Sequence, residues 1–159
     1  MKKTDIYQQR VRDVMVKHVV AVNPDDQVSD ALKTMLENRV SALPVVDAHD
    51  RCVGVLSATD LLHLAQQLGG ELEALHQAEG LSRELLEEQL ERTGFSRQIV
   101  QEVMTHSAVT VEPDTTLVAA AAAMIRNQVH RLAVSDPKGK LLGIISTMDI
   151  IRALAESGD

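Results

Sequence analysis

Two short stretches of the chain carry the same polar side chains at the same spacing. Each has a glycine, two apolar residues, a serine and, three positions later, an aspartate: Gly54, Ser57 and Asp60, and again Gly143, Ser146 and Asp149. At the start of a helix, free backbone N–H groups can bind a phosphate, and a carboxylate can accept hydrogen bonds from vicinal ribose hydroxyls. The glycine is expected to end a strand and to let a ligand approach the backbone. The alternative is that serine and aspartate only cap helices, because both are preferred caps.

Both stretches belong to an internal repeat. Matching residues lie 89 positions apart, for example Met15 with Met104 and Asn38 with Asn127. The register needs no gap from about residue 11 to about residue 65 of the first copy, which chance rarely produces. One supersecondary unit is therefore used twice, and two copies of one unit commonly pack about a pseudo-twofold axis.

Each copy predicts the element order β-α-β-β-α, which is an α+β fold, or α/β in some schemes. Apolar runs predict a first strand at 19–22 and at 108–111, and Pro24 and Pro113 introduce an amphipathic helix. Two strands joined by a polar turn follow, and a second helix starts at each Ser–Asp stretch. We expect one repeat over residues 4–66 and the other over residues 93–155.

A different segment, residues 67–92, separates the repeats. Gly69 and Gly70 end the preceding helix, and leucines recur through the segment. The pattern predicts a helical insertion of one or two helices. These helices either dock on the surface of the pair or form a contact for a partner chain.

Composition and charge exclude several classes of function. The 159 residues carry a net charge of -7 with one Tyr, one Phe and no Trp, so neither nucleic acid nor an anionic membrane is an expected partner. No segment approaches the ~20 apolar residues that span a bilayer, and no signal-peptide pattern is visible, so a cytoplasmic protein is expected. The single cysteine and the scattered histidines predict no structural metal, and no nucleophile–base–acid set indicates an enzyme.

The repeat resembles the CBS domain, named after cystathionine β-synthase. The motifs that carry the resemblance are Val14-Met15, Leu43-Pro44-Val45-Val46-Asp47 and Gly54-Val55-Leu56-Ser57-Ala58-Thr59-Asp60, with their second copies Val103-Met104, Leu132-Ala133-Val134-Ser135-Asp136 and Gly143-Ile144-Ile145-Ser146-Thr147-Met148-Asp149. The resemblance implies one Bateman module whose cleft between repeats holds AMP, ADP, ATP or S-adenosylmethionine. It also implies a homodimer of modules, no catalysis by the module itself, and an effector protein that the sequence does not identify.

The resemblance assigns the ribose and phosphate ligands. Asp60 and Asp149 match the aspartate that binds ribose, and Ser57 and Ser146 offer hydroxyls to a phosphate. A second hydroxyl, Thr59, stands beside Asp60 in the first copy. Met148 takes its place in the second copy and removes a phosphate donor.

Further candidates surround these motifs. His130 and Arg131 resemble a pair that faces ligand phosphates in the AMP-sensing γ subunits of AMP-activated kinase, and Arg39 lies near the matching position of the first copy. The candidate walls for adenine are valines: Val20, Val40, Val109 and Val129. The alternatives are a solvated strand-edge charge for Arg131, a packed or surface position for His130, and ordinary core positions for the valines.

Two functions fit these observations. The first is a regulatory module that binds an adenosine nucleotide and signals to a partner protein. The second, favoured by Met148 and the leucine-bearing insertion, is a protein-interaction or dimerisation module that has lost ligand binding. An enzyme with an unrecognised site is a third hypothesis that no motif supports.

Overall fold

The computed structural model describes residues 5–68 and 94–158, and its internal contacts divide the chain into two units. Unit 1 consists of Met1–Val19, Ala48–Cys52 and Ser107–Asp159, and unit 2 of Val20–Asp47 and Val53–His106. Each unit therefore combines the body of one repeat with the first residues of the other. The domain boundaries at 4–66 and 93–155 follow sequence similarity and stay a prediction.

Helices and strands alternate along both repeats. The first repeat contains α1 (Val11–Val14), α2 (Val28–Asn38), β1 (Ala42–Val46), β2 (Cys52–Ser57) and α3 (Ala58–Gln67). The second contains a 3-10 turn (Gly94–Arg97), α4 (Val100–Val103), β3 (Thr105–His106), β4 (Thr110–Val111), α5 (Leu117–Asn127), β5 (Arg131–Ser135), β6 (Leu141–Ser146) and α6 (Thr147–Gly158). The helical insertion predicted at 67–92 lies outside the described residues, apart from positions 67 and 68.

The mixed α+β fold and both predicted hairpins are confirmed, with two differences at the start of each repeat. The first strand is shorter than predicted: only Val22 forms a bridge, to Val45, in the first copy, and β4 has two residues in the second. The β propensity of valine does not reveal whether a partner strand lies alongside. The short helices α1 and α4 were not predicted, because four residues are too few to show a helical period.

Each unit contains a three-stranded sheet. In unit 2 the strand order is β1-β2-β3, and β3 pairs antiparallel with β2, so that Val55 lies opposite Thr105. In unit 1 the order is β4-β5-β6, with β4 parallel and β6 antiparallel to β5. Val16 forms an antiparallel bridge with Ile144 of β6. The first residues of each repeat thus extend the sheet that holds the other repeat's hairpin.

Gly54 and Gly143 have a structural role in these sheets. The prediction that they end a strand is wrong, because each lies inside one, β2 or β6. A Cβ at Gly54 would stand 2.7 Å from the carbonyl oxygen of Thr105, and one at Gly143 would stand 2.6 Å from that of Val16. The backbone of the adjacent edge segment, approaching this closely, requires a glycine at both positions.

Aliphatic side chains form the core of each unit, as the scarcity of aromatic residues predicts. Leu43 and Leu56 are fully buried in unit 2, and Leu132 and Ile145 in unit 1. Burying each such side chain contributes roughly 1.5–3 kcal/mol. Helices α2 and α5 pack on these cores through apolar residues at helical spacing, which in α2 are Val28, Ala31, Leu32 and Met35.

The two amphipathic helices begin in different ways. Each starts four residues after its proline, so that Gln27 and Thr116 become the N-caps. The Thr116 hydroxyl accepts a hydrogen bond from the Ala119 N–H at 3.1 Å, whereas Gln27 makes no side-chain cap bond. The α5 helix therefore has a stabilising cap that α2 lacks.

Candidate functional site

The Ser–Asp stretches form capping boxes at the N-termini of α3 and α6. In the first, the Ser57 backbone N–H and hydroxyl donate to Asp60 Oδ2 at 2.8 and 2.9 Å, and the Asp60 N–H donates to Ser57 Oγ at 3.2 Å. Ser146 and Asp149 repeat these bonds with the same distances. The capping interpretation is therefore confirmed at both positions. It leaves ligand binding open, because in each box these bonds to the carboxylate reach only Oδ2.

The second carboxylate oxygen meets a different group in each box. The Thr105 hydroxyl, on β3, donates to Asp60 Oδ1 at 3.2 Å. The Arg152 guanidinium, one turn along α6, donates to Asp149 Oδ1 at 3.4 Å. The Arg152 side chain is 65% exposed and that of Asp149 12%. One aspartate thus has a neutral neighbour and the other a largely exposed cation.

Each cap is tied to the start of the hairpin strand next to it. The Ala58 N–H donates to the Ser41 carbonyl at 2.8 Å, and the Thr147 N–H donates to the His130 carbonyl at 2.9 Å. Arg131 is the strand partner of Ser146 in the β5–β6 ladder, and its side chain is exposed. The structure therefore brings Arg131 and His130, both predicted from the sequence, to the same end of the hairpin as Ser146.

Arg39 and the four valines occupy less specialised positions. Arg39 is the exposed C-cap of α2 in a left-handed conformation, with φ 53°, and Gln128 has φ 54° at the matching end of α5. Val20 and Val40 are exposed, whereas Val109 and Val129 pack against the core of unit 1. The assignment of these valines to adenine stays a prediction.

Two cavities lie near the predicted residues. An apolar groove of about 410 Å³ separates α5 from α6 and includes Val129 and His130 in its walls. A polar cavity of about 240 Å³ lies between α3 and α4 and includes Asp60, His63 and Glu102.

Within residues 5–68 and 94–158, no group of three or more His, Cys, Asp or Glu side chains is placed to hold a metal ion. Among the helices that the structure describes, none is both long and apolar enough to cross a bilayer.

Two neighbours of the caps were missed by sequence reasoning. Thr105 lies 45 positions from Asp60 and left no local signal, because only the pairing of β3 with β2 brings it close. Arg152 could have been found, because residues three apart on a helix share a face, and Asp149 lies three positions before it.

Comparison with known proteins identifies the family of the two repeats. The family model for the CBS domain matches residues 11–66 and 100–156. The chain therefore belongs to the CBS domain family and carries a tandem pair of these domains.

Three relatives illustrate the similarity. An uncharacterized protein of Methanocaldococcus jannaschii is 30% identical over 154 residues, which are 91% of this chain and 90% of that protein. The crystal structure of CBSX2, a CBS-pair protein of Arabidopsis thaliana, in complex with AMP has a TM-score of 0.72 and 30% identity, and the match covers 94% of this chain and 98% of that one. The 5'-AMP-activated protein kinase subunit gamma-3 of Sus scrofa is 32% identical over 127 residues, 80% of this chain but only 21% of the subunit.

Proposed function

We propose that the chain is a regulatory module that binds an adenosine nucleotide at its Ser–Asp capping boxes. The observation that carries this proposal is the pair of aspartates, Asp60 and Asp149, each fixed through Oδ2 by its own cap. A carboxylate held in this way can present its remaining acceptor sites to ribose hydroxyls without losing further side-chain entropy. The similarity to CBSX2, whose structure contains AMP, supports AMP as the first ligand to test, ahead of ADP, ATP and S-adenosylmethionine.

The proposed phosphate contacts are one hydroxyl and one guanidinium. Thr59 offers a hydroxyl at the start of α3, where the helix dipole also favours an anion. The Ser57 and Ser146 hydroxyls, predicted from the sequence as phosphate donors, each donate their single hydrogen to the aspartate of their own box and reach a phosphate only by giving up that bond. At the second cap, Arg131 stands opposite Ser146 on the neighbouring strand. Arg131 can bind two phosphate oxygens through its planar fork.

Signalling requires that the ligand bind one conformation better than another. We propose that nucleotide binding shifts the conformation or assembly of the module and that a separate effector protein responds to the shift. No chemical step is assigned to the chain.

The first test is calorimetric titration with AMP, ADP, ATP and S-adenosylmethionine, with thermal unfolding in parallel. A ligand at 100 times its Kd should add roughly 2.7 kcal/mol to the free energy of unfolding. We expect Asp60→Ala and Asp149→Ala each to reduce the number of sites or the affinity. Thr116→Ala, which removes a helix cap outside both boxes, controls for loss of stability alone. Unchanged binding in both aspartate variants contradicts the proposed site, and no binding of any ligand at millimolar concentration contradicts the function.

The exposed face of α5 and α6 favours a second candidate function, self-association. Several large apolar side chains are exposed on this face: Val118, Ile125, Met148, Ile151 and Leu154. Exposed apolar patches of this kind mark contact surfaces. We propose that the partner is a second copy of the chain, because two copies of this face can cover each other's exposed apolar side chains about a twofold axis.

Sedimentation velocity tests the self-association. Ile125→Asp is expected to shift a dimer towards monomer, because Ile125 is 80% exposed and its replacement should leave the fold intact. Leu36→Asp is the matched control at the equivalent position of α2, where the leucine is 41% exposed. A wild-type monomer at 100 μM, or an equal effect of both variants, contradicts α5 and α6 as the interface.

A further inference from the structure

We propose that the groups facing Oδ1 of the two aspartates, Thr105 and Arg152, make the ribose contacts of the two nucleotide sites unequal, with the contact at Asp60 the stronger. Thr105 acts as a positioning residue for Asp60, and Arg152 acts as a competitor for Asp149. This inference rests on the proposed nucleotide function. It adds a difference between the two sites that the Ser–Asp motifs, which are alike in both repeats, do not predict.

The Thr105 contact holds Asp60 without opposing a ligand. Its hydroxyl donates one hydrogen bond to Oδ1, while Ser57 supplies both bonds to Oδ2, so that three donors fix the plane of the carboxylate. The Thr105 hydroxyl is neutral, and Oδ1 keeps a remaining acceptor site for ribose. Thr105 is itself fixed, because its strand, β3, pairs with β2 through Val55.

The Arg152 contact has the opposite effect on Asp149. The guanidinium donates to Oδ1 at 3.4 Å, as the Thr105 hydroxyl does at Asp60, but its positive charge also attracts the carboxylate and weakens it as an acceptor for a ribose hydroxyl. A ligand must displace Arg152 or share the oxygen with it. Because Arg152 is largely exposed, the pair is weak and displacement costs little, so that a difference of about threefold in affinity is expected.

The repeat supplies the natural control for each residue. Val16 stands at the position that matches Thr105 and has no donor in its side chain, although it occupies the same edge position beside β6. His63 stands at the position that matches Arg152. Exchanging these residues between the copies should therefore exchange the properties of the two sites.

Single-site proteins separate the two effects. In the Asp149→Ala protein, which retains the Asp60 site, Thr105→Val and His63→Arg are each expected to weaken AMP binding about threefold. Thr105→Ser keeps the hydroxyl and is expected to bind AMP as tightly as the protein with threonine. In the Asp60→Ala protein, Arg152→His is expected to strengthen AMP binding about threefold. Calorimetric titration with AMP measures each Kd.

A second ligand distinguishes positioning from a general structural effect. We expect Thr105→Val to reduce the preference for AMP over 2'-deoxy-AMP, because the ribose 2'-hydroxyl is one of the groups that the Asp60 carboxylate would bind. Loss of fold stability alone would weaken both ligands equally. If wild-type protein binds no AMP, both the proposed function and this inference are overturned. If the aspartate variants lose AMP but the exchanges at 105 and 152 leave Kd and the AMP preference unchanged, only this inference is overturned.

Discussion

Both repeats build the same capping box, yet the surroundings of the two aspartates differ in charge. Asp60 faces the hydroxyl of Thr105, which comes from a distant part of the chain, and Asp149 faces Arg152 from its own helix. The bonds inside each box agree to within 0.1 Å, because four consecutive residues and the start of a helix define them. Sequence duplication thus preserved the local geometry and left the surroundings free to diverge.

The outer faces of the two repeats also differ, here in the exposure of their apolar side chains. The α5 residue Ile125 is 80% exposed, whereas its counterpart on α2, Leu36, is 41% exposed. The cores beneath them use the same aliphatic residue types. The second repeat therefore combines the cap that has a charged neighbour with the outer helix that has the more exposed apolar side chain.

The largest effect on the free energy of unfolding is expected at the strand glycines, which both repeats share. Gly54→Ala and Gly143→Ala should each lower the free energy of unfolding by about 1–3 kcal/mol, because the new Cβ would overlap a backbone carbonyl oxygen of the edge segment. Urea denaturation midpoints measure the loss. Gly158→Ala is the control, since a Cβ added at this position of α6 would meet no atom within 4 Å. Wild-type stability in either strand variant would show that the edge segment shifts at little cost.

An intermediate effect is expected where the caps differ in hydroxyl content. Met148→Thr should raise AMP affinity at the Asp149 site up to about tenfold, and Thr59→Met should lower it at the Asp60 site by a similar factor. One hydrogen bond to a charged phosphate is worth about 1.5 kcal/mol, close to a tenfold change. Met148 is exposed, so its replacement should leave unfolding unchanged. Titration of both variants with AMP and with adenosine, which has no phosphate, tests the assignment: equal changes for the two ligands would argue against a phosphate contact.

The smallest effect is expected at the start of the amphipathic helices. Thr116→Ala should cost about 1 kcal/mol of stability by removing the α5 cap, and Gln27→Thr should return up to that amount by giving α2 the cap it lacks. Thermal unfolding of the two single variants and the double variant measures the stability change that each substitution causes. If Gln27→Thr is neutral, the α2 N-terminus is satisfied by another group and the two helices are less different than their caps indicate.

Periodicity was sufficient to predict most of the fold. The helices α2 and α5 and both hairpins follow from apolar spacing and turn residues, because these signals are local. The prediction was less accurate at the start of each repeat, where the first strand was predicted to be longer than it is and the short helices α1 and α4 were not predicted. These residues belong to the sheet or helices of a unit whose body comes from the other repeat, so their own sequence carries little information about their partners.

The candidate site was predictable in part. Ser57, Asp60 and their second copies were identified from spacing, and the structure confirms their capping bonds. Gly54 and Gly143 were predicted to let a ligand approach the backbone, but the group that approaches each of them is a backbone carbonyl. The sequence does not show this approach, because the carbonyl comes from a distant segment. Ligand contacts for Val20, Val40, Arg39 and the other candidates stay predictions.

The sequence by itself determined the repeat, the aliphatic residue types of the cores and the position of both capping boxes, since each follows from residue types and their spacing along the chain. Only the tertiary structure decided which strand lies beside Gly54 and Gly143, and which group faces the second oxygen of Asp60. The physical reason is that these contacts join residues tens of positions apart through sheet pairing. Such pairing is set by the packing of the whole unit and not by the local preference of any one segment.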